Sequence, residues 1–201
     1  MQDSIRHTWM KTISEVATST QLMLQHMESY MICMSVNATT KVAGCIAEVG
    51  VFKGGSAKLI CEFKGEKKLY LFDTFEGLPE LNTFDSHDEF YQGQFNDTSI
   101  EAVRKLTSPY KNVHLIKGYF PDTAGPIENE KFSLVHLDVD LHETTKNALE
   151  FFYPRMSEGG IIISHDYINA NGVKKAFDDF FAEKPETVLL ISDTQCMVVK
   201  V

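Results

Sequence analysis

The spacing of hydrophobic positions changes along the chain, and this change predicts the order of helices and strands. Up to about residue 36, apolar residues recur every three or four positions, which predicts helices. From residue 46 onward, short apolar runs alternate with amphipathic stretches, a pattern typical of strands connected by helices in a parallel sheet. The predicted strands are 46–51, 68–73, 113–117, 132–138, 161–164, 188–192 and 196–201, and the helices between them are 54–63 with its opening turn, 98–106, 143–156 and 172–182.

The last two predicted strands are joined by a short turn at Asp193-Thr194, which is too short for a crossover, so they must be antiparallel. We therefore expect a Rossmann-like, doubly wound α/β fold with a seven-stranded, mostly parallel sheet and a C-terminal antiparallel hairpin. The 201 residues are expected to form one domain, 1–201, with an N-terminal helical cap at 1–40 and the Rossmann-like core at 41–201. Ligands of such folds bind outside the carboxyl ends of the strands, where the strand order reverses.

The amino-acid composition of the chain limits which binding partners we expect. A net charge of −9 without a Lys/Arg cluster argues against nucleic acid. No apolar run reaches the roughly 20 residues of a membrane helix, and the start of the chain lacks the apolar core of a signal peptide. The four cysteines are scattered and are expected to be reduced thiols of a cytoplasmic protein. The Met- and aromatic-rich N-terminal helices could form a homodimer contact or cover the domain's own core.

A glycine-rich turn after the first strand predicts a ligand site. Phe52 occupies the place of the glycine that admits a pyrophosphate in dinucleotide-binding folds, so NAD and FAD fit poorly. Glu48 and Asp73, at the ends of the first and second strands, would also repel a pyrophosphate. They suit the ammonium, the ribose hydroxyls and the sulfonium of S-adenosylmethionine. The alternative is a tight turn beside two solvated acids.

Acidic residues also follow the fourth and fifth strands. If these strands are neighbours, Asp138 and Asp166 lie about 5 Å apart and can share one divalent cation. Such an ion can bind a substrate hydroxyl and lower its pKa, which prepares the oxygen to accept a methyl group. Asp140 projects to the same side as Asp138, either toward this site or as the cap of the next helix.

Four segments carry a recognisable family pattern. They read Glu-Val-Gly-Val-Phe-Lys-Gly-Gly-Ser at 48–56, Leu-Phe-Asp-Thr-Phe-Glu-Gly-Leu-Pro at 71–79, Leu-Asp-Val-Asp-Leu-His-Glu-Thr-Thr at 137–145, and Tyr-Pro-Arg-Met-Ser-Glu-Gly-Gly at 153–160 with His-Asp-Tyr at 165–167. Together they resemble the macrocin O-methyltransferase family, which includes the mycinamicin and novobiocin sugar O-methyltransferases. The resemblance implies magnesium-dependent methyl transfer to a hydroxyl, often one of a vicinal diol on a sugar.

The resemblance also implies roles for individual residues. Asp138 and Asp166 are similar to the family's metal ligands, Asp138 is also a candidate general base, and the segment 117–122 resembles the stretch beside the adenine ring. The predicted site residues are catalytic Asp138 and His165; cofactor-binding Glu48, Gly50, Gly54, Ser56, Asp73, Gly118, Phe120 and Asp138; and metal-binding Asp138, His165 and Asp166.

The chain departs from the family pattern in three places. The family usually has two adjacent aspartates where this chain has His165-Asp166. Because imidazole is a poor ligand for magnesium and a good one for manganese, iron or zinc, either the metal differs or His165 acts as a base; a structural histidine is the third option. His142 stands where the family tends to have tyrosine, and it is expected at the surface, as is His87. The N-terminal region, which helps enclose substrate in the sugar methyltransferases, is shorter here.

The acidic and aromatic stretch 84–96 predicts either a lid whose rings stack on a substrate or a short helix that packs Phe90 and Phe95 inward. The expected function is methyl transfer from S-adenosylmethionine to a hydroxyl of a small sugar or diol/catechol-like metabolite, with Mg²⁺, Mn²⁺ or another divalent cation. Two other functions fit less well: a methyltransferase-fold protein that holds the cofactor or a partner without catalysis, and an iron-dependent hydroxylase, for which only one histidine is placed.

Overall fold

The structure is a computed structural model that describes residues 2–201, with the side chains of residues 5–201. Its elements in chain order are α1 (Gln2–Ser19), α2 (His26–Ala38), β1 (Cys45–Val49), α3 (Gly55–Phe63), β2 (Leu69–Asp73), α4 (Ile100–Thr107), β3 (Val113–Lys117), β4 (Phe132–Leu137), α5 (His142–Phe152), β5 (Met156–Ser164), α6 (Asn171–Phe181), β6 (Leu189–Leu190) and β7 (Cys196–Val199). Single 3₁₀ turns occupy Gly125–Ile127 and Tyr153–Arg155.

The strands form one seven-stranded sheet in the order β3-β2-β1-β4-β5-β7-β6. The first five strands are parallel, whereas β7 runs antiparallel to both β5 and β6. This arrangement confirms the predicted Rossmann-like fold and its C-terminal hairpin. The strand order reverses between β1 and β4, so a crevice opens beyond their carboxyl ends.

Alternating side chains on each strand divide the core between the two faces of the sheet. Ile46 and Leu134 face α1, α2, α3 and α4, whereas Ala47 and Val135 face α5 and α6. Ile13 of α1 and Ile32 of α2 are wholly buried in the first of these layers. The N-terminal helices therefore cover the core of their own sheet, one of the two roles the sequence left open.

The element bounds differ from the prediction in two instructive places. The N-terminal helical region is interrupted, because Gln25 and Glu28 form a capping box that starts a new helix at α2. Strand β5 begins at Met156 rather than at residue 161, since Met156 pairs with Phe132 of β4 despite the intervening glycines. Among the described helices, none has both the length and the hydropathy that crossing a membrane would require.

Candidate active site

A cavity of about 590 Å³ opens at the carboxyl ends of β1, β2, β4 and β5. Its volume lies within the range of small-molecule sites. The walls come from the turn after β1, the end of β2 with residues 77–79, residues 118–120, residues 138–140 and residues 165–166, with Gln21, Met23 and Leu24 contributed by the N-terminal region. The cavity thus lies at the predicted switch point.

The glycines of the turn after β1 are required by contacts within the protein. A Cβ on Gly50 would lie 1.7 Å from the carbonyl oxygen of Asp138, because the ends of β1 and β4 approach each other closely. Gly50 lines the cavity and Gly54 does not, so the predicted cofactor contact of Gly54 stays a prediction. A Cβ on Gly54 would instead meet Leu106 and Val103 of α4 at 3.0 and 3.3 Å, and its positive φ of 81° lets the chain turn into α3.

Asp73, at the end of β2, holds this turn in place. Its Oδ2 accepts the backbone N–H groups of Val51 and Phe52, both at 2.7 Å, and its Oδ1 accepts that of Phe75 at 2.6 Å. A carboxylate has about four acceptor positions, so about one remains for a ligand. Asp73 lines the cavity as predicted, but the turn occupies most of its hydrogen-bonding capacity.

Glu48 is wholly buried and does not line the cavity, so its predicted contact with the cofactor stays a prediction. It pairs in register with His136 of β4, and its Oε1 is 2.8 Å from His136 Nδ1. Both side chains are fully buried on the sheet face that α1, α2 and α3 cover. Burial raises the pKa of Glu48, although the hydrogen bonds from His136 and from Ser56 act in the opposite direction. Ser56 itself lines the cavity at the start of α3.

Three side chains converge where β4 and β5 end. Because these strands are neighbours with Leu137 opposite Ser164, the residues that follow them meet at one point, as predicted. One ligand-type atom each from Asp138, His165 and Asp166 lies within 4.8 Å of the others. His165 Nδ1 is 2.9 Å from Asp166 Oδ2 and 3.3 Å from Asp138 Oδ1. The predicted metal-binding residues therefore form one cluster on the cavity wall.

The charged groups of this cluster shift one another's pKa values. Burial acts to lower the pKa of His165, but the carboxylates of Asp138 and Asp166 outweigh it and raise that pKa to about 12. Burial likewise acts to raise the pKa of Asp138, and the charge of His165 reverses this, so the Asp138 pKa is lowered. For Asp140, burial and the negative charges of Asp138 and Asp166 act together and hold its pKa well above the usual range.

Asp140 belongs to this site and does not cap the next helix. The N-cap position of α5 is Leu141, which provides no side-chain cap. Asp85 supplies the missing acceptor, since its Oδ1 accepts the backbone N–H of His142 at 2.7 Å. Asp140 lines the cavity instead.

Residues 84–96 form turns and bends without a helix, so the predicted short helix is wrong. Phe90 and Phe95 nevertheless line the cavity, and the Phe95 ring meets that of Phe52 edge-on at 5.5 Å. The start of the stretch is anchored by the contact of Asp85 with α5. It forms a rim over the cavity, and the movement of a lid stays a prediction.

His142 is buried, which contradicts the predicted surface position. Only 7% of it is exposed, its Nδ1 lies 3.2 Å from Asn82 Nδ2, and its ring centroid is 4.7 Å from that of Phe84. The reason is that the rim folds over the start of α5, a contact between distant segments that local sequence does not reveal. His87 is exposed, as expected.

The segment 118–120 forms the apolar end of the cavity. Gly118 has a φ of 135°, and a Cβ there would meet Thr123 at 2.6 Å. The Phe120 ring packs against Phe72 and Phe152 at centroid distances of 5.1 Å each. Both predicted residues line the cavity.

A comparison with known protein families identifies the family to which this chain belongs. A model of the family Macrocin-O-methyltransferase (TylF) matches residues 14–197, which include every residue of the site described above. The chain belongs to the macrocin O-methyltransferase family.

Relatives in this family act on natural products, as their names state. The chain is 29% identical over 163 residues to the 8-demethyl-8-(2,3-dimethoxy-alpha-L-rhamnosyl)-tetracenomycin-C 4'-O-methyltransferase of Streptomyces olivaceus, covering 74% of this chain and 62% of that protein. It is 28% identical to the mycinamicin III 3''-O-methyltransferase of Micromonospora griseorubida, covering 74% and 65%. The chain thus spans less than two thirds of the length of either relative.

A solved structure supports the fold. The O-methyltransferase NovP superposes with a TM-score of 0.78 at 23% identity, covering 90% of this chain and 82% of that one. At this identity the likeness shows the Rossmann-like methyltransferase fold alone.

Several residues of the site escaped prediction from the sequence. Gln21, Met23 and Leu24 reach the cavity from the segment between α1 and α2. Thr144 reaches it from α5, and Asn169 from the loop before α6. Glu28 of α2 comes within 3.4 Å of His165. The one local signal was the Gln-x-x-Glu capping box, which marks the start of α2 but says nothing of where Glu28 points.

Proposed function

We propose that this protein transfers a methyl group from S-adenosylmethionine to a hydroxyl of a small sugar- or diol-like metabolite, with the help of a divalent cation. The observation that carries the proposal is the convergence of Asp138, His165 and Asp166 on the wall of a cavity that the glycine turn and Asp73 also line. Membership of the macrocin O-methyltransferase family supports it, as do the sugar-bearing substrates in the names of its relatives.

The cavity suits S-adenosylmethionine, which supplies an electrophilic methyl group on a sulfonium. Asp73 offers its remaining acceptor position to a ribose hydroxyl. Ser56 and the N-terminus of α3 can receive the carboxylate of the methionine part, because a helix N-terminus favours negative charge. Gly118 and Phe120 offer an apolar place for the adenine. The carboxyl groups of Asp138, Asp140 and Asp166 favour a ligand of positive charge over a pyrophosphate.

The donor set also fits a divalent cation. Two carboxylates and an imidazole offer three donors, which leaves about half of an octahedral coordination shell for water and substrate hydroxyls. A bound cation would lower the pKa of a coordinated hydroxyl. The family resemblance implies Mg²⁺, and Asp138 would be the candidate to accept the hydroxyl proton. Phe90 and Phe95 would exclude water from the same space.

The test is a methyl-transfer assay that measures formation of S-adenosylhomocysteine with a panel of sugars, vicinal diols and catechols. We expect D138N to lower turnover by about 100-fold or more, because it removes both a metal ligand and the candidate base. Chelation of divalent cations should abolish activity, and their return should restore it.

D179N is the matched control, since Asp179 lies exposed on α6 and pairs only with Lys175 on the surface. It should retain the activity of the unmodified protein. Full activity of the chelated protein, or of D138N, would contradict the proposed role of the cluster.

One observation favours a second function, a binding protein that holds the cofactor without catalysis. His165 lies between two carboxylates, so these charges can be balanced without any cation. Tight binding of S-adenosylmethionine without metal binding, and without transfer to any acceptor, would support that function instead.

A further inference from the structure

Glu28 is a buried carboxylate that the proposed chemistry does not use. It belongs to the first turn of α2, and only 3% of the residue is exposed. Its Oε2 accepts the backbone N–H of Gln25 at 2.7 Å, and its Oε1 accepts the hydroxyl hydrogen of Thr194 from the turn between β6 and β7. The position of this carboxylate is therefore fixed by two separate parts of the chain.

The carboxylate lies next to the Nε2 atom of the His165 ring. His165 Nε2 is fully buried and makes no hydrogen bond within residues 5–201. Glu28 Oε2 lies 3.4 Å from it, so a small movement would complete a hydrogen bond. Since a buried N–H without an acceptor is destabilising, Glu28 is the group that can satisfy it.

The other nitrogen of the ring faces the cluster. Two ligands about 2.1 Å from one ion and at right angles lie about 3.0 Å apart. The distances from His165 Nδ1 to the oxygens of Asp166 and Asp138 are 2.9 and 3.3 Å, which match that separation. A hydrogen bond at one ring nitrogen fixes the proton there and leaves the other nitrogen free to bind a metal.

We propose that Glu28 is a positioning residue that holds His165 with Nδ1 toward the cation, so that the centre selects Mn²⁺ or a similar transition ion over Mg²⁺. The inference rests on the divalent cation of the proposed function. An imidazole ligand favours transition ions, whereas Mg²⁺ prefers oxygen ligands. His165 and the buried Glu28 beside it form one unit in this chain.

The experiment measures binding of Mn²⁺ alone by electron paramagnetic resonance, and of Mg²⁺ by competition, in the metal-stripped full chain. The unmodified protein should bind Mn²⁺ at least about tenfold more tightly than Mg²⁺. Pulsed spectra of the Mn²⁺-loaded protein should show coupling to a directly bound nitrogen, and H165N should lose it. Binding of Mn²⁺ without this nitrogen coupling would overturn the inference and leave the proposed function intact. Failure of the protein to bind either ion would contradict both the inference and the metal dependence of the proposed function.

A double-mutant cycle tests the part played by Glu28. E28Q keeps the shape of the side chain and an oxygen for the capping box, and it should weaken Mn²⁺ binding about tenfold. In the H165N background the same change should have less than about a twofold effect, because Glu28 acts through His165. E15Q, an exposed change on α1, should leave binding unaltered.

An equal effect of E28Q in both backgrounds would make Glu28 a structural residue and overturn its positioning role. If E28Q fails to fold, the metal preference is still tested by comparing the unmodified protein with H165N. The two quantities compared are the nitrogen coupling and the ratio of Mn²⁺ to Mg²⁺ affinity. Loss of that preference in H165N would support the inference, and an unchanged ratio would overturn it.

Discussion

At the scale of single residues, the site depends on how closely two strand ends approach. Gly50 has a φ of 86° and lies directly against the backbone of Asp138, so it places a predicted metal ligand beside the glycine turn. Two residues earlier, Glu48 is directed into the core beside His136. The sequence does not reveal this burial, because His136 belongs to β4, 88 residues further along the chain.

Gly50→Ala should destabilise the protein by more than about 3 kcal/mol, because the new Cβ cannot coexist with the Asp138 carbonyl. Gly65→Ala is the matched control: Gly65 also has a positive φ, of 58°, but a Cβ there meets nothing within 4 Å. It should lower stability by only about 1 kcal/mol, the penalty of the left-handed conformation. Urea unfolding measures both changes. Equal losses of unfolding free energy would show that the close contact between Gly50 and the Asp138 carbonyl does not require glycine.

At the scale of elements, an ion pair connects the end of the C-terminal hairpin to the link between α6 and β6. Glu186, in the link between α6 and β6, accepts hydrogen bonds from Lys200 at 2.7 Å and from Tyr153 at 2.9 Å. Burial acts to raise the pKa of Glu186, but these hydrogen bonds outweigh it and lower that pKa. Ionised Glu186 therefore stabilises the folded state.

E186Q should lower the free energy of unfolding by about 1–3 kcal/mol at pH 7, because charged hydrogen bonds are lost. An acid whose pKa is lowered by folding contributes stability above its ordinary value of 4.5, and this contribution disappears as pH falls through the folded value. The difference between E186Q and the unmodified protein should thus shrink below pH 4.5, as measured by urea unfolding across pH. E183Q, at an exposed position of the same link, should have no such effect; a difference independent of pH would contradict the role of the charge.

The elements themselves were largely predictable, since β3 matches its prediction and the other central strands differ mainly at their ends. Hydrophobic spacing identifies a helix or strand well. The residues at which that element begins and ends depend on segments from elsewhere in the chain that pair with it. Strand β5 extends across Gly159 and Gly160 because β4 lies beside it, although glycine alone disfavours a strand. The same limit explains the rim over α5, where Asp85 replaces Asp140 as the acceptor for the helix end.

At the scale of the whole molecule, the site gathers residues from both ends of the chain around one cavity. The acids at the ends of β2, β4 and β5 were predictable, because parallel strands bring their carboxyl ends to one edge of the sheet. The pairing of Glu28 with His165 was not, since it joins α2 to the end of β5 across the folded core. The sequence thus predicts the kind of chemistry, while the environment of each group comes from packing.

The most direct test of the account is a calorimetric titration of metal-stripped protein with S-adenosylmethionine, followed by a divalent cation. The unmodified protein and D179N should bind one cofactor and then one cation. D73N should bind the cofactor about tenfold or more weakly, since Asp73 holds the turn and faces the ligand. D138A should bind the cofactor but lose the cation. If the unmodified protein does not bind S-adenosylmethionine, the proposed function is contradicted.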